Sequence, residues 1–379
     1  MHVNPIGATV VHRGSVGESG SMYTRLLSGR AGGPLEGVML LTWERRLGVA
    51  DSAGPTFPIY RSEDGGETWE EIAAVPDLAR HAGNRYQPTL YELPCDVAHL
   101  KRGDVLLAGN AIPRDGAFTC LVLYSSADGG YTWNLESVID EGGPSVYDNS
   151  SDSVTTAIWE PDLDVVDGKL LCYFADERTK PDRMLQSIRR RTSTDLRTWS
   201  DLELVSGVAN SYHRPGMFVG TGALPDGSRR AVIEVVGPHD VPVYLLESQP
   251  GEDWGDPGDL GRQLVADDGV SLSGTPTIGW HALPDGRVVL VALGRHSMRD
   301  GREGNRGLVS LDLGDSWSSF ELPTPADRRI HGDASGYSQT IRWNQDGHLV
   351  QATSVRNAIG SHDVVVTRAL MVLDVEVGA

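Results

Sequence analysis

Ser62-Glu63-Asp64-Gly65-Gly66-Glu67-Thr68-Trp69 reads S-x-D-x-G-x-T-W, and the pattern is not met once only. It returns at residues 126–133 and, with Ser in place of Thr, at 310–317; a shortened relative runs from Ser193 through Asp195 to Trp199. The chemistry is local: Asp accepts backbone N–H groups to close a turn, Gly takes a positive φ, and Trp packs its ring between strands. One copy would specify a hairpin and nothing more. Four copies specify a repeated hairpin, and their aspartates read as structural staples.

A second unit runs in phase with the first. A turn containing Gly feeds an apolar strand at LEGVMLLTW (Gly37), RGDVLLAGN (Gly103), DGKLLCYFAD (Gly168), DGSRRAVIEV (Gly227), DGRVVLVALG (Gly286) and DGHLVQATS (Gly347), with steps of 66, 65, 59, 59 and 61 residues. Six such units, each long enough for four short strands, predict an all-β, six-bladed propeller in one domain over residues 1–379. The Asp-box turns resemble those of sialidases and their relatives, where they join the two outer strands of a blade.

Composition agrees and narrows the function. The 45 Gly and 21 Pro exceed what a helical protein needs, and 39% hydrophobic residues can fill a sizeable core. A formal charge of −19 argues against nucleic acid and anionic membrane as partners, since both demand clustered Lys and Arg. Cys95, Cys120 and Cys172 are far apart and signal neither a zinc site nor a disulfide framework, so buried free thiols are expected. No cluster has metal spacing, and neither metal nor other cofactor is expected. The first residues lack a basic region followed by an apolar run, which reads as cytoplasmic for the chain as given, or as secreted if a native signal is missing. A monomer is expected.

The innermost strands of a propeller surround a central pocket, so polar residues in apolar strands are informative. Glu234 interrupts Ala231-Val-Ile-Glu-Val-Val236, where a carboxylate is costly unless it is paired or functional. Glu160, in Ala157-Ile-Trp-Glu-Pro161, is expected on a rigid, extended lead-in because the following proline restricts it. The two fall in consecutive repeats and are read onto inner strands of neighbouring blades, as glycoside hydrolysis by paired carboxylates requires. A buried Glu paired with Arg for structural reasons is the alternative for Glu234, and Trp-Glu-Pro by itself says little about Glu160.

Arg214-Pro-Gly-Met217 ahead of the Glu234 strand resembles the corresponding segment of the exo-α-1,5-L-arabinanase family of six-bladed propellers. So do Trp159-Glu-Pro161, Tyr173-Phe-Ala-Asp-Glu-Arg178, Gln186, Gln87-Pro88 with Tyr91-Glu-Leu-Pro94, and Tyr23-Thr-Arg25, in the same order. Phe218 stands where that family is expected to have proline. The resemblance implies a retaining exo-hydrolase that frees arabinobiose from the non-reducing ends of arabinan, with Glu160 as acid/base and Glu234 as nucleophile. It also implies an oligo- or polysaccharide-binding surface including Arg25, Gln87, Trp159, Arg178, Arg214 and Tyr337. For the three arginines blade-to-blade salt bridges are the alternative, and for Tyr337 a place in the core or rim. His213 and His331 read as surface or satisfied histidines.

Three rival readings stand beside this one. A sialidase would open with Arg-Ile-Pro, where this chain has Arg25-Leu26-Leu27, and would present three arginines to a carboxylate. A propeller polysaccharide lyase would use a His or Tyr base. A non-catalytic carbohydrate-binding propeller would have no need of Glu234 in its apolar strand.

Overall fold

The computed structural model describes residues 2–15, 20–46, 54–210, 212–327 and 333–373. Six four-stranded antiparallel sheets form the blades of a propeller. Their innermost strands are Gly20–Ser28, Asn84–Glu92, Ile158–Val166, Arg214–Ala223, Thr277–Ala282 and Thr340–Trp343. The second strands are Met39–Arg46, Val105–Ala111, Lys169–Asp176, Arg229–Val236, Val288–Leu293 and Leu349–Arg356. Blade six takes its outermost strand, His2–His12, from the start of the chain, paired antiparallel with His362–Val372. That pairing closes the ring by joining the two ends of the sequence in one sheet. Among the described residues the one helical element is a three-residue turn, Lys180–Asp182.

All six repeat glycines lie between the first and second strand of a blade, with φ from +72° to +93°. The turns therefore share one end of the propeller, and the starts of the innermost strands share the other, where the second strands end. The four Asp boxes connect third and fourth strands of blades one, two, three and five at the outer edge. Three are nearly superimposable in their bonds: Gly66, Gly130 and Gly314 N–H each donate 2.9 Å to the box serine, and each Trp indole donates to the carbonyl of that glycine. In the shortened box Leu196 takes the left-handed conformation at φ +64°, and Trp199 donates instead to Ser137 of the neighbouring blade.

Hydrophobic side chains pack between blades, not along the axis. Six buried clusters fill the six blade interfaces; the one between blades three and four stacks Phe218 on Tyr173 at 4.3 Å, so the residue in the expected proline position is a packing element. Of the cysteines, Cys120 and Cys172 are buried and free, but Cys95 is exposed, because it falls in the loop before a repeat turn and not on a strand. An added three-stranded sheet, Ser271–Ser273, His296–Arg299 and Arg302–Gly304, leaves blade five at the end where its second strand finishes. Among the described residues no helix is long and apolar enough to cross a membrane.

Candidate active site

At the mouth of the central channel each blade contributes one residue in the left-handed region: Tyr23, Gln87, Glu160, Met217, Thr275 and Ser338, with φ between +43° and +61°. In the first four blades this residue sits in a register shift of the first hairpin. The bulge re-aims the side chain, at a cost in backbone strain that the surroundings must hold. Hydrogen bonds between blades do so. Gln87 N–H donates to Glu44 Oε2 (3.2 Å), Glu160 N–H to Gln87 Oε1 (3.0 Å), and Met217 N–H to Glu160 Oε2 (2.9 Å). Thr275 N–H donates to Glu234 Oε2 (2.6 Å), Ser338 N–H to Thr275 Oγ1 (3.0 Å), and Tyr23 N–H to the Tyr337 carbonyl (3.3 Å), which closes the circle.

Both glutamates singled out in the sequence belong to this circle, Glu160 left-handed in its bulge and not extended as the following proline implied. Glu160 is on the innermost strand of blade three, whereas Glu234 is near the end of the second strand of blade four, not on an innermost strand. The reason is the antiparallel hairpin: seven residues past the turn at Gly227 the chain has returned to the mouth. Gly216 pairs with Glu234 across that hairpin, and a Cβ on Gly216 would lie 3.5 Å from Glu160 Oε2. The Glu160 carboxylate thus lies against Gly216 and Met217, and the backbone of Glu234 is paired to the same glycine while its carboxylate reaches Thr275. Burial and the like charge of Glu234 push Glu160 up to about 8, against the opposing pull of Met217 N–H and the Tyr23 hydroxyl. Burial also raises Glu234, opposed by Thr275 N–H and by the positive charge of Arg295. Burial beside a second carboxylate therefore favours the protonated form of Glu160.

The other candidates divide. Gln87 touches Glu160 at its backbone N–H and, through Nε2, at Oε1 (3.5 Å). Tyr337 packs against Tyr23 with ring centroids 5.4 Å apart and lies under the Arg295 guanidinium; Tyr23 donates its hydroxyl to Glu160 Oε1 (3.2 Å). Trp159 donates its indole N–H to Glu177 (2.8 Å), and Arg214 pairs with the same carboxylate at 2.9 Å, both members of that pair being at most 1% exposed. Arg214 also reaches Gln186, the Asp148 carbonyl and the Tyr147 ring, so it anchors the loop of residues 143–156 beside the mouth. Arg25 lies one layer below the circle, bonded to Ser338 of blade six (2.9 Å). Arg178 is not brought to the glutamates: it joins Asp176 and Asp140 in an ion pair between blades two and three. His213 bonds Asn210, and His331 lies outside the described residues.

Sequence reading missed Tyr23 as a contact of Glu160, and missed Glu44, Glu177 and Thr275. For Glu44 a signal existed, since it stands seven residues past Gly37 as Glu234 stands seven past Gly227. Among the described residues no group of His, Cys, Asp and Glu is arranged to hold a metal ion.

No family model matches the chain, and no curated protein matches it by sequence. Solved structures do. The GH93 α-L-arabinofuranosidase of Fusarium graminearum, in complex with arabinobiose, superposes with a TM-score of 0.79 at 27% identity over 97% of this chain and 98% of that one. The α-L-arabinanase of Penicillium chrysogenum, also with arabinobiose, gives 0.78 at 28% identity over 96% and 98%. The leech intramolecular trans-sialidase shares the fold at 0.56, with 14% identity over 96% of this chain and 70% of that one. Over nearly its whole length, then, this chain resembles the arabinanase and arabinofuranosidase propellers among the sialidase-like glycoside hydrolases.

Proposed function

We propose that this chain hydrolyses arabinan with retention of configuration, working from the non-reducing end and releasing arabinobiose. The observation that carries the reading is the pair of buried carboxylates in one circle of bonds at the mouth, Glu160 held by Met217 N–H and Glu234 by Thr275 N–H, with burial and like charge favouring a proton on Glu160. Glu160 gives its proton to the glycosidic oxygen while a Glu234 oxygen attacks the anomeric carbon; the C–O bond to the leaving group breaks and a glycosyl ester forms. Thr275 N–H fixes Oε2 of Glu234 and so orients the carboxylate for that attack. Glu160, now ionised, takes a proton from water, whose oxygen displaces Glu234 and restores both groups.

The arabinobiose bound by both fungal relatives supports the sugar class. A sialoside fits less well: Arg214 is committed to Glu177 and Arg25 to Ser338, which leaves neither to a substrate carboxylate. The loop of residues 143–156 and the added sheet of blade five both leave the blades at the mouth, which supports access by a chain end more than by a chain interior.

The test is digestion of debranched arabinan beside synthetic arabinofuranosides, sialosides and rhamnosides, with product sizing and NMR of the first-formed anomer. Arabinobiose alone, first formed with the configuration of the substrate, is expected. A ladder of oligomers would replace exo by endo action, an inverted product would remove the nucleophile, and inertness on all four substrates would sink the enzyme reading.

A further inference from the structure

We infer that Glu44, on blade one, positions the acid/base across two blades by way of Gln87. This rests on the reading of Glu160 as acid/base. Glu44 is 1% exposed at the mouth end of the second strand of blade one, in the same place in its repeat that Glu234 holds in blade four. Each carboxylate receives the N–H of the left-handed residue of the next blade: Gln87 at 3.2 Å for Glu44, Thr275 at 2.6 Å for Glu234. A buried carboxylate is costly unless its interactions repay the lost hydration. Here the bond secures a backbone conformation that a glutamine takes only under constraint, φ +60°, with Pro88 next in the chain.

Gln87 so held presents its side chain to one target. Its Oε1 accepts Glu160 N–H at 3.0 Å and its Nε2 donates to Glu160 Oε1 at 3.5 Å, while Asn110 Nδ2 supports Oε1 at 3.5 Å. Glu160 is itself left-handed, at φ +61°, and depends on that acceptor for its orientation. The sequence Glu44, Gln87, Glu160 therefore spans blades one to three, and the first member touches no reacting atom. Glu44 is a positioning residue, and its loss is felt where the proton is delivered.

Two variants and two substrates separate this role from a merely structural one. Glu44→Gln keeps an oxygen for Gln87 N–H, and Glu44→Leu does not. Expected for Glu44→Leu is a fall in kcat on arabinan of at least about tenfold, with hydrolysis of a dinitrophenyl arabinofuranoside, whose leaving group needs no proton, changed much less; Glu44→Gln restores most of the loss on arabinan. Equal losses on both substrates, or none on either, would overturn the inference. A crystal structure of Glu44→Leu reads the same geometry without substrate: separation of the Gln87 side chain from Glu160 is expected, and an unmoved Gln87 refutes the relay even if arabinan proves not to be the substrate. Should Glu44→Leu fail to fold, the same substrate comparison on Gln87→Leu, which removes the second link, decides the matter: equal losses there refute it.

Discussion

Carboxylates at the outer edge and at the mouth of this propeller are the same chemical group under opposite constraints. Asp64, in the first Asp box, is exposed; the largest single influence on it, burial, is outweighed by the sum of hydrogen bonds from the Thr68 hydroxyl and N–H, Ser62 and Glu67 N–H, which bring it down to about 2. Glu160, at the mouth, is pushed up to about 8 by burial and by Glu234, and its few donors do not compensate. One environment fixes the charge and uses it to close a turn. The other makes the charge expensive and so keeps a proton available. Location in the blade, more than residue type, sets the direction in which a carboxylate is shifted.

The largest test of that contrast is removal of the mouth carboxylates. Glu234→Ala should abolish turnover, with azide restoring an inverted product. Glu160→Ala should fall by at least about a hundredfold on arabinan, yet still react with dinitrophenyl arabinofuranosides and give an azide product of retained configuration. Azide products of the opposite configurations would exchange the two roles. At the outer edge the expected effect is smaller and of another kind: Asp64→Ala should lower Tm by an amount corresponding to about 1–3 kcal/mol, with turnover per folded molecule unchanged. A large loss of turnover at unchanged Tm would erase the distinction.

The smallest effect, and the sharpest for the comparison, is in the pH dependence of stability. Glu160 has a folded pKa above its unfolded value, so its stabilisation is complete below the ordinary carboxylate range and is lost as pH rises through about 8. Asp64 has a depressed folded pKa, so its stabilisation is complete above the ordinary range and is lost as pH falls through about 2. Relative to wild type, Glu160→Gln should gain Tm between pH 5 and 8, and the deficit of Asp64→Asn should shrink below about pH 3. Parallel Tm curves for either variant would contradict the assigned environments.

The Asp boxes and the six repeat turns were legible in the sequence because nearly all the contacts that define them join residues within a few positions, and the turns counted the blades even though blade six is completed by the first strand pairing with the last. Ser62, Asp64, Gly66, Thr68 and Trp69 bond one another, so the pattern of types is already the geometry. Glu234 was conspicuous for a different reason, as a carboxylate in an apolar strand, and Glu160 for the proline that follows it. What they do with each other was not, since Met217 N–H and Tyr23 reach Glu160 over 57 and 137 positions of sequence. The same holds for Arg178, drawn to Asp140 and away from the glutamates, and for Arg214, drawn to Glu177. Sequence alone determined the repeated unit and its number, and drew attention to the two glutamates, because local turn chemistry and strand hydrophobicity act along the chain. Only the tertiary structure decided the circle of left-handed residues, the upward shift of Glu160 and the place of Glu44, because closing six blades on one axis brings together groups that no local rule connects.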